Sequence, residues 1–404
     1  MMADREADSP EVTRRKFLTL AAAGGSLAAL ARLGGWYGLA ARTLATAEAA
    51  PAPVLKLTTD LGVPASASID VTGAITQALA GLPLSATVLL QGFYRTDRAV
   101  ILQGLRNLRI VQGTNPSGFV RFTQAQKPPN WPRKTPWASY LDLRDCEGVL
   151  LEGFSIRGPL ASPTYSRTFE EAAGVSISGT STGVTLRGLS ISGVHGDFVI
   201  VAEDRQHQPT GIVVEDTTGD TAGRQMIADV GGRGLTVRRC TFKNSGRSGI
   251  DIEPSTPLGS HNITIEDSTF ENPSLYCLAG GDVTPHRNIV VRRTKFFGGK
   301  GLAKYGPPEG APPGSHQGLV LEDVTYEWRP TPGVGKIVIA RTDGIQITRV
   351  NARFRGEPGS IEGTGEVRNS VFTSNSLPPS VPVVYLCGVT DISNVGTGPC
   401  QLAR

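Results

Sequence analysis

Gly234-Leu-Thr-Val-Arg-Arg-Cys-Thr-Phe242, Asn262-Ile-Thr-Ile-Glu-Asp-Ser-Thr-Phe270, Asn288-Ile-Val-Val-Arg-Arg-Thr-Lys-Phe296 and Gly318-Leu-Val-Leu-Glu-Asp-Val-Thr-Tyr326 are four versions of one phrase. Each opens with an apolar-x-apolar strand and closes on an aromatic anchor. With weaker copies on either side, the first apolar residues are Leu108, Val149, Val184, Ile212, Leu235, Ile263, Ile289, Leu319 and Ile345, at steps of 23 to 41 residues. A period in that range marks a solenoid or a propeller. The alternation has period two, no helical period intrudes, and no Trp-Asp pair closes a propeller blade. A unit of about 25 residues suits three short strands and three turns. The repeat therefore predicts an all-β solenoid of about 10 to 12 coils, a parallel β-helix with coils about 4.8 Å apart. Ile263 and Ile265 would point inward and Thr264 outward. Asn244 and Asn272, each two residues after a Phe, read as a turn-forming ladder.

Such a stack needs its open end covered. Residues 69–80, from Ile69 to Ala80, form a short amphipathic segment that predicts a capping helix before the first coil strand at Thr87-Val88-Leu89-Leu90. With the Gly92-Phe93-Tyr94 phrase that follows, this start resembles the pectate lyase-like proteins, over roughly residues 55 to 400. The resemblance implies a right-handed parallel β-helix capped by the N-terminal helix. It implies little about activity, because the fold carries lyases, hydrolases, epimerases and binding proteins. The polygalacturonase set of Asn-Thr-Asp, Asp-Asp, Gly-His-Gly and Arg-Ile-Lys is not matched, so no catalytic residue carries over from that family.

Ahead of the repeat, Arg14 and Arg15 precede an apolar run from Phe17 to Leu30, and the Ala-rich exit passes Ala45-Thr46-Ala47. About 14 residues are too few to cross a bilayer. The order of charge, short apolar run and small residues resembles a twin-arginine export signal. Residues 1–50 are thus expected to be signal and linker, 51–404 the solenoid, and the destination periplasmic or extracellular. An uncleaved anchor made of the same residues is the alternative.

Composition narrows the classes further. The 404 residues carry 40 Lys+Arg against 36 Asp+Glu, 39% apolar content, 49 Gly and 28 Pro. That excludes a disordered or collagen-like chain and favours frequent turns over long helices. A net charge of +4 without any basic stripe argues against a nucleic-acid partner. Five cysteines do not make a disulfide framework; Cys387 and Cys400 could pair after export, while Cys146, Cys240 and Cys277 read as buried small apolar residues. No pair has metal-ligand spacing.

The chemistry-bearing residues cluster in the middle coils. Aligning Gly223-Arg224-Gln225 with Gly246-Arg247-Ser248 stacks Arg224 on Arg247 and sets Asp197 in the column of Gln225. With Ile250 and Ile252 inward, Asp251 and Glu253 face solvent on one strand, about 6.6 to 6.8 Å apart at the backbone. Asp282 falls beside Glu253 one coil on, and His195 lies at the preceding turn. Two carboxylates in this separation range suit an inverting glycoside hydrolase. Asp251 and Glu253 are the candidate acid and base, Asp197 tunes them, and Arg224, Gln225, Arg247, His195 and Asp282 would bind substrate. Trp131, Trp137 and Tyr140 (residues 124–140), Tyr165 with Glu170 and Glu171 (158–173), and Lys304 and Tyr305 (301–317) sit in long insertions that would wall a groove. Of these, Trp131, Trp137, Lys304 and Tyr305 are the candidate sugar contacts.

These residues predict cleavage of a polysaccharide, preferably acidic, by hydrolysis. A lyase or epimerase acting on uronates is the second reading, and the third is a non-catalytic glycan-binding or surface solenoid. No cofactor is expected, except that a lyase would use Ca²⁺ held by carboxylates of neighbouring coils. The partner is a poly- or oligosaccharide, with no stable membrane partner once the signal is removed, and a monomer and a side-by-side trimer stay open.

Overall fold

The computed structural model describes residues 52–122, 138–330 and 335–400. The signal assigned to 1–50, Trp131 and Trp137 lie outside the described residues. Within them the chain winds into a parallel β-helix. One sheet holds 11 strands, one per coil, and the other holds 22, because its two strips run together where late strands such as Lys336–Thr348 bend from one strip into the next. The named strand pairs are all parallel, and through the middle coils they stay in register, as in Phe242↔Phe270, Phe270↔Phe296 and Phe296↔Tyr326, with register shifts only among the late strands.

The inward positions follow the two-residue alternation of the sequence. Ile263, Ile265, Ile289 and Val291 are wholly buried, whereas Thr264 between the first two is not. Aromatic anchors stack along the axis, with ring centroids 5.6 Å apart for Phe198–Phe242 and Phe242–Phe270 and 5.4 Å for Phe270–Phe296. The column skips one coil. Gly219 holds the inward position between Ile191 and Phe242, and Phe198 enters from a neighbouring strand to fill it; a Cβ on Gly219 would come within 2.7 Å of both rings. At the N-terminal end the helix α1 (Thr72–Ala80) buries Ile75 and Leu79 over the first coils, which closes the apolar core to water.

Turns are held by ladders. Asn244 and Asn272 adopt positive φ (57° and 53°), and Asn272 Nδ2 donates to Asn244 Oδ1 at 3.1 Å, with Asn244 donating in turn to Asp220 at 2.8 Å. A second ladder alternates in charge. Asp216, Arg239, Asp267, Arg293, Asp323 and Arg349 all have φ near +50°, and Arg239, Arg293 and Arg349 make bidentate bonds to Asp216, Asp267 and Asp323 on the preceding coils. Exposed pairs of this kind add little stability singly. Their alternation does penalise a coil that slips, because a slip sets like charges together. At the C-terminal end Cys387 and Cys400 form a disulfide, with Cα atoms 4.6 Å apart, and Cys146, Cys240 and Cys277 are free and buried.

Candidate active site

Strand Ile250–Ile252 is the platform of the site. Ile250 and Ile252 anchor it in the core, so Asp251 points away from the axis and Glu253 follows at the turn, its N–H bonded to the Asp229 carbonyl at 2.8 Å. One coil earlier, register places Ala228 beside Asp251, and Arg224 and Gln225 precede that strand. These two consecutive side chains hold one carboxylate each. Gln225 Nε2 donates to Asp251 Oδ2 at 2.5 Å, and Arg224 donates to Glu253 Oε1.

Behind them lies Asp197, with no exposed surface. Its Oδ1 accepts the Gln225 backbone N–H at 2.8 Å and its Oδ2 accepts from Arg224 at 2.9 Å. Arg224 is thus clamped between a buried and a partly open carboxylate, a charge-assisted arrangement that fixes its plane. The expectation that Asp251 and Glu253 both face open solvent is corrected: Glu253 keeps 29% of its side-chain surface exposed, but Asp251 is buried. Strand parity turned Asp251 outward, and the Gln225 side chain then covered it. Gln225 is itself wholly buried, so its amide serves Asp251.

Burial dominates the electrostatics. It pushes the Asp197 carboxyl up to about 6 against the opposing pull of Arg224. It raises Glu253 to about 7, with Arg224 opposing and the Asp251 charge adding to the rise. Asp251 is raised by the same desolvation, countered by Gln225, Arg224 and Arg247. Asp282, partly exposed, is raised by burial and adds its charge to the Glu253 environment. Three acidic groups within reach of one guanidinium at different depths give a graded set of proton affinities.

The two arginines do not stack as side chains. Arg247 follows Arg224 in register, its N–H bonded to the Arg224 carbonyl at 2.9 Å, but its guanidinium lies 4.9 Å over the Tyr165 ring. It makes no ion pair among the described residues, and its Nε is buried without a hydrogen-bond partner. Tyr165 donates to Glu170, so the 158–173 insertion folds back against the site. His195 is half-buried with its ring 5.3 Å from Phe169, and burial lowers its pKa. Lys304 is exposed in the outward column of Asp251, with Ala279 between them. Tyr305 departs from expectation. Its register partner is Gly280, so it points into the core, packed 5.6 Å from His286, and does not line a groove.

Two residues the sequence reading passed over support this face. Glu203 accepts the N–H groups of Ser255 and Thr256 (2.8 and 2.6 Å) and the Thr256 hydroxyl (2.7 Å), tying down the turn after Glu253. Asp229 points inward where the neighbouring coils carry Val201 and Ile252. The signal for Asp229 was present, as an acid in an inward slot of Ile227–Val230; that for Glu203 was not, since its partners lie about 50 residues away. Among the described residues no group of three His, Cys, Asp or Glu is placed to hold a metal ion, and no helix is long and apolar enough to cross a membrane.

No protein-family model and no curated protein sequence matches the chain. Solved structures do match in shape. Endo-xylogalacturonan hydrolase from Aspergillus tubingensis is similar with a TM-score of 0.52 at 14% identity, over 85% of this chain and 93% of that one. Polygalacturonase from Erwinia carotovora ssp. carotovora is similar with a TM-score of 0.50 at 13% identity, over 87% and 97%. These neighbours are pectate lyase-like right-handed β-helix proteins, and at such identities the likeness establishes the fold alone.

Proposed function

We propose that the chain is an exported glycoside hydrolase that cleaves an acidic polysaccharide on the face built by Asp251, Glu253, Arg224 and Arg247. The single observation that carries this reading is the Asp251/Glu253 pair, held one each by Gln225 and Arg224, with Glu253 pushed up to about 7. A carboxyl that keeps its proton near neutrality is a general acid for the departing glycosidic oxygen. Asp251, two residues earlier on strand Ile250–Ile252, serves as the base that draws a proton from water. Residues two apart along a strand lie about 6.6 to 6.8 Å apart at the backbone, which supports a pair spaced for an inverting rather than a retaining mechanism.

The mechanism assigns the remaining groups in turn. Asp197 does not reach the groove; it positions Arg224 and Gln225, and through them both carboxylates. Arg224 is already paired with buried Asp197 and bonded to Glu253, so Arg247, without an ion pair among the described residues and seated on Tyr165, is the cation that receives a sugar carboxylate. Lys304, two coils along, is placed for the next acidic unit. The fold likeness to a xylogalacturonan hydrolase and a polygalacturonase supports a polysaccharide substrate. Export is supported by the Arg14-Arg15 signal pattern and by the Cys387–Cys400 disulfide, which suits an oxidising compartment.

The test is a product assay of the mature chain on acidic and neutral polysaccharides, with and without chelator, reading reducing ends and the ultraviolet absorbance of unsaturated uronates together. Reducing ends without absorbance are expected. Absorbance lost on chelation would replace the reading with a Ca²⁺-dependent lyase, and glycan binding without any turnover would replace it with a binding solenoid.

A further inference from the structure

The outward edge that carries Glu253 does not end at the carboxylate pair. Inward residues of the same strip pair as Ile252↔Gly280, Gly280↔Tyr305, Tyr305↔Ile339 and Ile339↔Ile361. Each is followed by an outward position, in order Glu253, Gly281, Gly306, Ala340 and Glu362. No side chain larger than a methyl therefore stands in that column between Glu253 and Glu362, which lie about 19 Å apart along the axis at about 4.8 Å per coil. Gly281 is exposed, and nothing in the fold asks for a glycine there: a Cβ would meet only the Gly306 carbonyl, at 3.7 Å. In the other direction the face is closed. Ala228, Ser176 and Asp142, in the outward column of Asp251, have no exposed surface.

At its far end this edge opens into a groove of about 500 Å³, within the range of small-ligand sites, lined by Arg341, Asp343, Glu362, Thr364 and the Cys387–Cys400 disulfide. The groove forms where strands Lys336–Thr348, Gly359–Arg368 and Val384–Ile392 bend from one strip into the next, and their register shifts there. Arg341 stands exposed at one shift, with φ +44°, and its Nη2 donates to the Pro307 carbonyl at 2.8 Å. Thr364 Oγ1 accepts the Gly344 N–H at 3.0 Å and donates to Asp343 Oδ1 at 3.2 Å, which fixes one wall. The ion pairs of these coils are Lys336–Glu357, Arg349 with Glu322 and Asp323, and Arg368–Glu366. Arg341, Asp343 and Glu362 thus keep their charges for a ligand.

These groups select its chemistry. An ionised carboxylate only accepts hydrogen bonds and a guanidinium only donates them, so the group that can bridge the two is a hydroxyl. A uronate would meet two like charges against one opposite charge, and a metal ion would meet Arg341. We propose that the groove at Arg341, Asp343 and Glu362 binds neutral sugar units, as the distal end of a glycan whose acidic unit lies at Asp251 and Glu253. The first half of this statement stands alone, and the second rests on the catalytic reading above. The substrate class becomes a polysaccharide that mixes acidic and neutral units, laid from the carboxylate pair toward the C-terminal coils.

Amide exchange on the mature chain carrying Glu253→Gln, so that no glycan is consumed, separates the two halves. The probes are polygalacturonate, which is acidic throughout, a neutral glucan, and xylogalacturonan, whose acidic backbone bears neutral branches. Polygalacturonate should slow exchange about threefold or more in strand Ile250–Ile252 alone, the glucan in strand Gly359–Arg368 alone, and xylogalacturonan in both. Adding Glu362→Lys should abolish protection of Gly359–Arg368 by the glucan while leaving the thermal midpoint and the protection of Ile250–Ile252 unchanged. Protection of the groove by polygalacturonate, or by no probe, would overturn the neutral-sugar site and leave the catalytic reading standing. Protection of the groove by the glucan, with Ile250–Ile252 untouched by either acidic polymer, would keep the site and overturn its link to the catalytic face.

Discussion

Glu253→Gln is the substitution that tests the catalytic reading most sharply. Glutamine keeps an Oε1 that accepts the Arg224 N–H, so the clamp across Asp197, Arg224 and residue 253 survives. It has no proton to give. With Glu253 at about 7, roughly nine-tenths of the wild-type molecules carry the acid at pH 6 and about one-tenth at pH 8, whereas an ordinary carboxyl of 4.5 would be almost wholly ionised at both. Wild-type turnover should therefore fall about tenfold between pH 6 and pH 8. The variant should lose about 10² to 10⁴ in kcat, equivalent to about 3 to 5 kcal/mol of barrier, and its residual rate should show no alkaline limb near 7. The assay is reducing-end release across pH 4 to 9 on whichever acidic polysaccharide the wild type cleaves. A variant within fivefold of wild type, or a wild-type profile that already falls near pH 5, would refute the assignment of Glu253 as the acid.

Further outcomes follow from the packing around this face. Arg247→Met should raise KM at least tenfold for a uronate-containing substrate while leaving the thermal midpoint nearly unchanged, since its near contact is the Tyr165 ring, worth about 0.5 to 2 kcal/mol; equal effects on neutral glycans would count against it as the carboxylate receptor. Phe242→Ala removes a ring packed between Phe198 and Phe270 and should lower unfolding stability by about 3 to 5 kcal/mol in a denaturant titration. Reducing the Cys387–Cys400 bond, which closes a segment of 13 residues, should remove about 3 kcal/mol of local constraint and speed amide exchange in strand Val384–Ile392, with the central coils unaffected.

The fold was legible because a solenoid repeats its instructions. Inward Ile263 and Ile289, the Phe242–Phe270–Phe296 column and the Asn244–Asn272 ladder all recur at one offset, so a single period finds them. The alternating ladder was equally visible as Glu215-Asp216, Arg238-Arg239, Glu266-Asp267, Arg292-Arg293 and Glu322-Asp323, and it needed only the signs to be read down the column. The grouping of the candidate site was legible in the sequence, but the depth of its members was not. Parity says that Asp251 leaves the core; it cannot say that the side chain of Gln225, 26 residues away, lies across it. Tyr305 was misplaced for a different reason. The Pro- and Gly-rich run after it suggested a loop, while its place in the Gly280 column puts it on an inward slot of the strand Gly301–Tyr305.

The buried acids and the buried histidines pull stability in opposite directions with pH, and the balance can be worked out. Asp197 and Glu253, raised to about 6 and 7, bind protons more tightly folded than unfolded, so their contribution is present at low pH and is lost as pH rises through those values. His286 and His316 are lowered by burial to about 2 and 4; unfolding lets them take up protons, so their effect destabilises as pH falls below about 6.5. At pH 5.5 the two acids bind nearly as many extra protons in the folded chain as the two histidines do in the unfolded one, so the four contributions to the slope largely cancel. Removing the histidines in a His286→Phe, His316→Leu variant leaves the two acids without a counterweight among these four groups; their slope becomes about −2 kcal/mol per pH unit, with stability falling as pH rises from 5 to 6 and His195, also lowered by burial, offsetting part of it. Asp229 and Asp251, also raised by burial, can only steepen that fall. Chemical denaturation at three pH values measures the slope without reference to any substrate. A double variant with the wild-type slope would refute this account, since it would mean that the two imidazoles bind protons equally folded and unfolded.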